Sequence, residues 1–143
     1  MNTNTSSSKS ASRVDILFVD DSPNLRRTMQ LWFETQGYAT CTAESAAEAE
    51  QVAAATPPEV VIADLGLPDR SGYELLEALR QLDTLRRTHF VALSGDTDGQ
   101  EKAHALEAGF DCFIAKPPDF DELSELLETC LRGRTGDEPT AAN

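Results

Sequence analysis

The sequence predicts an α/β fold in which helices cover both faces of a parallel, doubly wound sheet. Between residues 14 and 131, short β-rich apolar runs alternate five times with helical stretches, which is typical of this class. Four of the apolar runs also end in a residue that can handle a phosphoryl group or a metal. The carboxyl ends of parallel strands share one edge of a sheet, where ligands bind.

The first elements have distinct start and stop signals. The run from Ile16 to Val19 is the first strand, and a helix follows with Ser22 as its N-cap and Pro23 at its first position. That helix ends at Gly37, and the second strand is Tyr38 to Ala43. The apolar positions of the first helix are Leu25, Met29, Trp32 and Phe33.

The second and third helices flank the third strand. We expect Ser45 and Glu48 to form a capping box that opens the second helix, which ends before a pair of prolines. The third strand is Val60 to Ala63. The third helix carries leucines at helical spacing. They are Leu75, Leu76, Leu79 and Leu82.

The fourth strand is Phe90 to Leu93. We expect the fourth helix to begin with Asp98 as its cap and Glu101 three positions on, and to end at Gly109. The fifth strand is Phe113 to Ala115.

The fifth helix begins at Asp119 and closes the folded unit. Its buried stripe is Leu123, Leu126, Leu127, Cys130 and Leu131. By composition, residues 1–13 are a disordered polar tail and residues 132–143 a flexible one. We therefore place the single folded domain at residues 14–131.

Composition excludes several classes of function. The formal net charge is -13, with 12 basic residues against 25 acidic ones, which argues against binding a nucleic-acid backbone. No apolar run approaches the roughly 18 residues of a membrane span, and residues 1–13 lack the apolar core of a secretion signal. We expect a cytoplasmic protein without membrane insertion. The cysteines lack metal or disulfide spacing, and we expect Cys112 and Cys130 to be small buried side chains.

The residues at the strand ends are Asp20 and Asp21, then Asp64, Ser94 and Lys116. Clustered carboxylates repel one another and need a cation, and Mg²⁺ prefers such hard oxygen ligands. One carboxylate can also attack phosphorus to give an acyl phosphate, while an ammonium and a hydroxyl contact the phosphoryl oxygens. The alternative is that these are ordinary loop and cap residues, with Lys116 only balancing their charge.

These segments resemble the receiver domain of two-component response regulators. The matching pieces are FVDDS, VVIADLGLPDRSGYEL, VALSG and FIAKPP. The resemblance implies a flavodoxin-like sheet in the order 2-1-3-4-5 with five helices. It also implies that Asp20 and Asp21 bind Mg²⁺, and that Asp64 accepts a phosphoryl group from a histidine kinase or a phosphotransfer protein. Ser94 and Lys116 would then contact that group.

Other roles follow only from the resemblance. The backbone carbonyl of Gly66 would join the carboxylates of Asp20, Asp21 and Asp64 in the metal site, Phe113 would be the switch aromatic, and the Lys116–Pro117 bond would be cis. The chain departs from the commoner family pattern at three positions without losing this chemistry. They are Leu67, Ser94 and Gly95.

We expect a signalling domain that catalyses only its own phosphorylation and dephosphorylation. Because the chain starts with Met and carries polar tails, we expect a free-standing regulator whose output passes through a downstream protein. Arg26 and Arg27 either contact a phosphodonor's helices or form a solvated face. Two other functions stay open: an interaction module that works without phosphorylation, and a small haloacid-dehalogenase-like phosphatase suggested by the DTDG at 96–99.

Overall fold

A computed structural model describes residues 14–95 and 99–132. In that part of the chain, five parallel strands form one sheet in the order β2-β1-β3-β4-β5, which confirms the predicted topology. The strands are β1 (Val14–Val19), β2 (Thr40–Ala43), β3 (Pro58–Asp64), β4 (His89–Ser94) and β5 (Cys112–Ala115).

Over the same described residues, five α-helices connect or follow the strands, and a short 3-10 helix, Asp83–Leu85, follows the third of them. They are α1 (Pro23–Thr35), α2 (Ala46–Ala55), α3 (Gly72–Arg80), α4 (Gly99–Ala108) and α5 (Phe120–Arg132). None of the helices within residues 14–95 and 99–132 combines the length and apolar character that a bilayer crossing requires.

The helices pack on opposite faces of the sheet, because side chains alternate between the faces along each strand. Buried residues of α1 and α5, such as Phe33 and Leu127, join one apolar cluster with Ile16 and Ile62 of the sheet. Those of α2, α3 and α4 join the other cluster, which is built on the intervening strand positions. A doubly wound sheet is the result.

The pairing register of β1, β3 and β4 places the carboxyl ends of these strands beside one another. Val19 of β1 pairs with Ala63 of β3, so the next residues, Asp20 and Asp64, lie side by side. Asp64 in turn pairs with Leu93 of β4. Ser94 is one residue beyond Leu93, beside Ala115 of β5, and Lys116 directly follows Ala115.

The helix caps agree with the sequence in most places. The Ser22 hydroxyl accepts from the backbone N–H of Leu25, and that of Ser45 accepts from Glu48. The Glu48 carboxylate, however, accepts from the N–H of Glu44 rather than from that of the cap. A complete capping box instead opens α3, between Ser71 and Glu74. This capping box was not among the predicted caps.

Some boundaries differ from the prediction. Strand β2 begins at Thr40 because Tyr38 belongs to the turn after α1, its N–H bonding the carbonyl of Phe33. Helix α3 ends at Arg80, which leaves Leu82 beyond it. Asp98, the predicted cap of α4, lies outside the described residues, as do the predicted tails apart from Arg132.

Burial of the cysteines is mixed. Cys130 is buried on α5, as predicted. Cys112 is only half-buried, contrary to the prediction, because β5 is an edge strand with a neighbour on one side alone.

Candidate functional site

A lysine joins two acidic strand ends at the carboxyl edge of the sheet. Nζ of Lys116, just after β5, lies 2.9 Å from Oδ2 of Asp20 and 3.1 Å from Oδ2 of Asp64. The β1–β3 register places the two carboxylates side by side, and the chain after β5 brings the ammonium to them. Three elements that are distant in sequence therefore meet at one point.

Asp20 is fully buried, with 0% of its side chain exposed. Its Oδ1 accepts a hydrogen bond from the N–H of Ser22 at 2.9 Å. Its Oδ2 is buried without a hydrogen bond, so the short contact with Lys116 is an ion pair of poor hydrogen-bond alignment. A buried carboxylate oxygen in this state is costly unless a cation compensates it.

Asp64 is also buried, and both of its carboxylate oxygens have partners. Oδ1 accepts from the N–H of Gly66 at 3.1 Å, while Oδ2 accepts from Nζ of Lys116. The first bond orients the carboxylate, and the second places a positive charge beside its other oxygen.

The pKa of Lys116 results from opposing influences. Partial burial would lower it, but the hydrogen bond to Asp64 and the negative charges of Asp20 and Asp64 outweigh burial and raise the pKa above its ordinary 10.5. The lysine is therefore fully protonated at neutral pH.

A third carboxylate completes the acidic group. Asp21 is exposed, and one oxygen from each of Asp20, Asp21 and Asp64 lies within 4.8 Å of the others. Three hard oxygen donors this close fit a divalent cation such as Mg²⁺. The buried Oδ2 of Asp20, which has no hydrogen bond, is also suited to a metal ion.

The remaining predicted residues lie on β4, on β5 and in the loop after β3. Ser94 is 7% exposed at the end of β4, and its carbonyl accepts from the N–H of Lys116 at 2.8 Å. Phe113 is half-buried on β5 and packs against the cluster beneath α2, α3 and α4. Gly66 follows β3 in the loop to α3. The Lys116–Pro117 bond is cis, as predicted.

Arg26 supports the site in a way that the sequence analysis had not predicted. Its Nη1 donates to the carbonyl of Asp20 at 2.9 Å, and its Nη2 lies 3.7 Å from Glu44. It therefore braces the acidic strand end, while Arg27 beside it is exposed. No local sequence signal distinguishes these two arginines.

Gly72 is a second residue whose role was missed. A Cβ at this first position of α3 would lie 2.7 Å from the carbonyl oxygen of Asp64 and 2.8 Å from Cα of Leu65. Only glycine lets the helix start this close to the backbone of Asp64. The sequence offered a hint, because a glycine directly after the cap residue Ser71 is a poor helix former.

A cleft of about 660 Å³ lies elsewhere, at the amino-terminal ends of β3 and β4. Pro58, Asp83, Arg86 and His89 are among the residues that line it, and none of the residues predicted from the sequence to form the site does. The acidic group is thus separate from this cleft.

Comparisons with known proteins agree with this geometry. A family model described as the response regulator receiver domain matches residues 16–128. The transcriptional regulatory protein KdpE of Mycobacterium tuberculosis is 39% identical over 120 residues, which are 84% of this chain and 52% of KdpE. The chain thus spans about half the length of that relative.

Two further proteins match over nearly their whole length. A 14.6 kDa protein of Leptolyngbya boryana is 30% identical over 120 residues, covering 83% of this chain and 92% of that one. The chemotaxis response regulator CheY4 of Vibrio cholerae superposes with a TM-score of 0.76 at 26% identity, covering 83% and 99% of the two chains. The receiver match includes residues 96–99 and does not favour a phosphatase. The sequence match, the strand order and the acidic group at the sheet edge together show that the chain belongs to the response regulator receiver domain family.

Proposed function

We propose that the chain is a single-domain response regulator that accepts a phosphoryl group on Asp64 from a histidine kinase or a phosphotransfer protein. One observation carries this proposal. The Lys116 ammonium contacts both Asp64 and Asp20 at the shared edge of three strands. A nucleophile and a cation therefore lie side by side where ligands of parallel sheets bind.

Asp64 is the proposed nucleophile. The N–H of Gly66 holds Oδ1, and Oδ2, which accepts a hydrogen bond from Lys116, would attack phosphorus. The new O–P bond forms as the bond from phosphorus to the donor's imidazole nitrogen breaks, and its electron pair returns to that nitrogen. Lys116 would then transfer its contact from Oδ2 to a phosphoryl oxygen while staying paired with Asp20.

The carboxylates of Asp20, Asp21 and Asp64, with the backbone carbonyl of Gly66, would hold Mg²⁺. When bound, this ion would neutralise charge on the phosphoryl oxygens. Asp20 suits this role because its buried Oδ2 has no hydrogen bond to give up. Arg26 supports it by fixing the backbone of Asp20.

Ser94 and Phe113 would transmit the change to the surface formed by α4, β5 and α5. Ser94 would move toward a phosphoryl oxygen, and Phe113 would turn into the space beside it. Gly95 has nothing within 4 Å of a Cβ position, which leaves this path open. Couplings of this kind are typically about 1–3 kcal/mol, so we expect partner affinity at this surface to change roughly five- to 150-fold.

The output would pass through a downstream protein. The net charge of -13 disfavours direct contact with nucleic acid, and the near-complete overlap with the Leptolyngbya boryana relative supports a single-domain protein. A cytoplasmic location belongs to this proposal, because all three cysteines are unpaired, which fits a reducing compartment. The chain would catalyse no reaction beyond its own phosphorylation and dephosphorylation.

Phosphorylation is tested on the purified protein with acetyl phosphate and Mg²⁺, followed by intact mass measurement under mild conditions. We expect the gain of one phosphoryl group in the wild type and in Asp83→Asn, a matched change at an exposed aspartate. Asp64→Asn should gain none. A phosphorylated Asp64→Asn protein, or a wild type that stays unmodified, would overturn the proposal.

Whether the protein consists of a single domain is tested by its mass in the cell. The mass of the protein isolated from its source cells should match the 15.6 kDa of this chain. A much larger mass would show that the receiver is one part of a longer regulator.

A further inference from the structure

The loop between β3 and α3 is tied to the start of α2 by one side chain. Oδ1 of Asp69 accepts from the N–H of Ala46 and Oδ2 accepts from that of Ala47, each at 2.9 Å. These are the first two N–H groups of α2, which have no acceptor within the helix. The hydroxyl of Ser45 accepts a hydrogen bond from the third N–H, that of Glu48. The carboxylate of Asp69 therefore completes the N-terminal cap of α2, although Asp69 lies in a different loop.

A second contact runs beside the first. Arg70 lies 2.6 Å from Glu50 of α2, and each side chain is 36% exposed. Exposed ion pairs of this kind typically contribute about 0–1 kcal/mol. Asp69, which has two charge-assisted bonds to backbone, is the stronger of the two attachments.

Gly66 lies between two fixed points of this loop. On the amino-terminal side of Gly66, Asp64 ends β3 and accepts a hydrogen bond from the N–H of Gly66. After it, Leu67 is buried and Asp69 holds α2.

No atom lies within 4 Å of a Cβ position at Gly66, so side-chain packing does not hold this residue. Its backbone forms an antiparallel bridge with Ser71, and the N–H of Gly72 donates to the carbonyl of Leu65 at 2.8 Å. The direction of the Gly66 carbonyl therefore depends on the backbone of this loop, which Asp69 attaches to α2.

The other side of the site depends on the same helix end. Glu44 directly precedes the α2 cap and pairs with Arg26, which binds the carbonyl of Asp20. The start of α2 thus contacts the chain after β1 through Arg26 and the chain after β3 through Asp69.

We infer that Asp69 is a positioning residue for the metal and phosphoryl site, because it fixes the loop that carries the Gly66 carbonyl. The inference rests on the proposed function, in which that carbonyl is a ligand of Mg²⁺. Hydrogen bonds from Ala46 and Ala47 lower the pKa of Asp69 below 3.8. The side chain is therefore ionised at neutral pH and can hold both N–H groups.

Three variants separate positioning from stability. Asp69→Ala removes both bonds, and Asp69→Asn keeps a single acceptor oxygen. Ser45→Ala also weakens the start of α2, because it loses the bond to Glu48, but it leaves the loop attached. Mg²⁺ affinity is measured for each by following the amide resonance of Gly66 in the full chain, at a temperature where circular dichroism shows the folded state.

We expect Asp69→Ala to bind Mg²⁺ about tenfold more weakly, as is typical for loss of a group that supports metal ligands. The Mg²⁺ affinity of Asp69→Asn should lie between those of Asp69→Ala and the wild type. Ser45→Ala should bind Mg²⁺ as tightly as the wild type. The inference would be overturned if Asp69→Ala and Ser45→Ala lost the same amount of Mg²⁺ affinity. It would also be overturned if both Asp69 variants kept the affinity of the wild type. Wild-type protein that binds Mg²⁺ but takes no phosphoryl group from acetyl phosphate would instead contradict the proposed function.

Discussion

Nζ of Lys116 donates a hydrogen bond to Oδ2 of Asp64 at 3.1 Å, across 52 residues of chain. The same nitrogen pairs with the buried Oδ2 of Asp20 at 2.9 Å. The positive charge of Lys116 thus compensates Oδ2 of Asp20, which has no hydrogen bond. The same charge lies beside Asp64, the proposed nucleophile. We expect both the stability of the fold and the proposed phosphoryl transfer to depend on this contact.

Replacing Lys116 with Met should destabilise the fold. The variant leaves the buried Oδ2 of Asp20 without a cation, and an unsatisfied buried polar group typically costs about 1–3 kcal/mol. Because the lysine is 27% exposed, we expect the lower part of that range. Urea denaturation measures the free energy of unfolding, and Mg²⁺ should restore more stability to the variant than it adds to the wild type. Lys102→Met is the control, because Lys102 is an exposed lysine of α4. This variant should keep the stability of the wild type and should gain no more stability from Mg²⁺ than the wild type does.

The contribution of Lys116 to stability should disappear at high pH. Its pKa in the folded state is raised above 10.5, so the folded protein holds this proton more tightly than the unfolded chain does. The stabilisation is fully present below pH 10.5 and is lost as the pH rises through the folded-state pKa. The difference in unfolding free energy between wild type and Lys116→Met should therefore shrink in that range. A constant difference would contradict the assigned ion pair.

Gly72→Ala should destabilise the protein although alanine favours helices. Replacing glycine with alanine in a helix typically adds about 1 kcal/mol of stability. At Gly72, however, a Cβ would lie 2.7 Å from the carbonyl oxygen of Asp64 and would force a backbone shift that typically costs about 1–3 kcal/mol. Gly99→Ala is the matched control, because Gly99 also begins a helix but has nothing within 4 Å of a Cβ position. Thermal unfolding should show a lower midpoint for Gly72→Ala and an equal or higher one for Gly99→Ala.

Tyr73→Phe should loosen the attachment of α4 to α3. The Tyr73 hydroxyl donates to Oε2 of Glu101 at 2.6 Å, and burial together with this bond raises the pKa of the tyrosine. The phenylalanine ring keeps the contact with Phe110 but loses a hydrogen bond worth about 1 kcal/mol. Amide exchange in α4 should become faster in this variant and stay unchanged in Tyr38→Phe. Equal exchange in α4 for wild type and Tyr73→Phe would show that the bond does not restrain the helix.

The sequence by itself determined the elements and the types of residue at their ends. Helix starts such as Ser22 with Pro23 depend on bonds within three or four residues, and strand runs such as Ile16–Val19 show their burial in their own composition. The strand order, the specific roles of the strand-end residues, and the assignments of Gly66 and Phe113 came from the resemblance of whole motifs to a family. Boundaries were less certain because a turn bond such as that from Tyr38 to Phe33 is not visible in local composition.

Only the tertiary structure decided which side chains meet. Arg26 and Arg27 are equivalent in sequence, yet Arg26 alone reaches Asp20, because the rotation of α1 against the sheet decides which arginine faces the site. Asp69 caps a helix that begins 23 residues before it, and Gly72 is required by the close approach of α3 to Asp64. Such contacts depend on the packing of distant elements, and local residue preference carries no information about them.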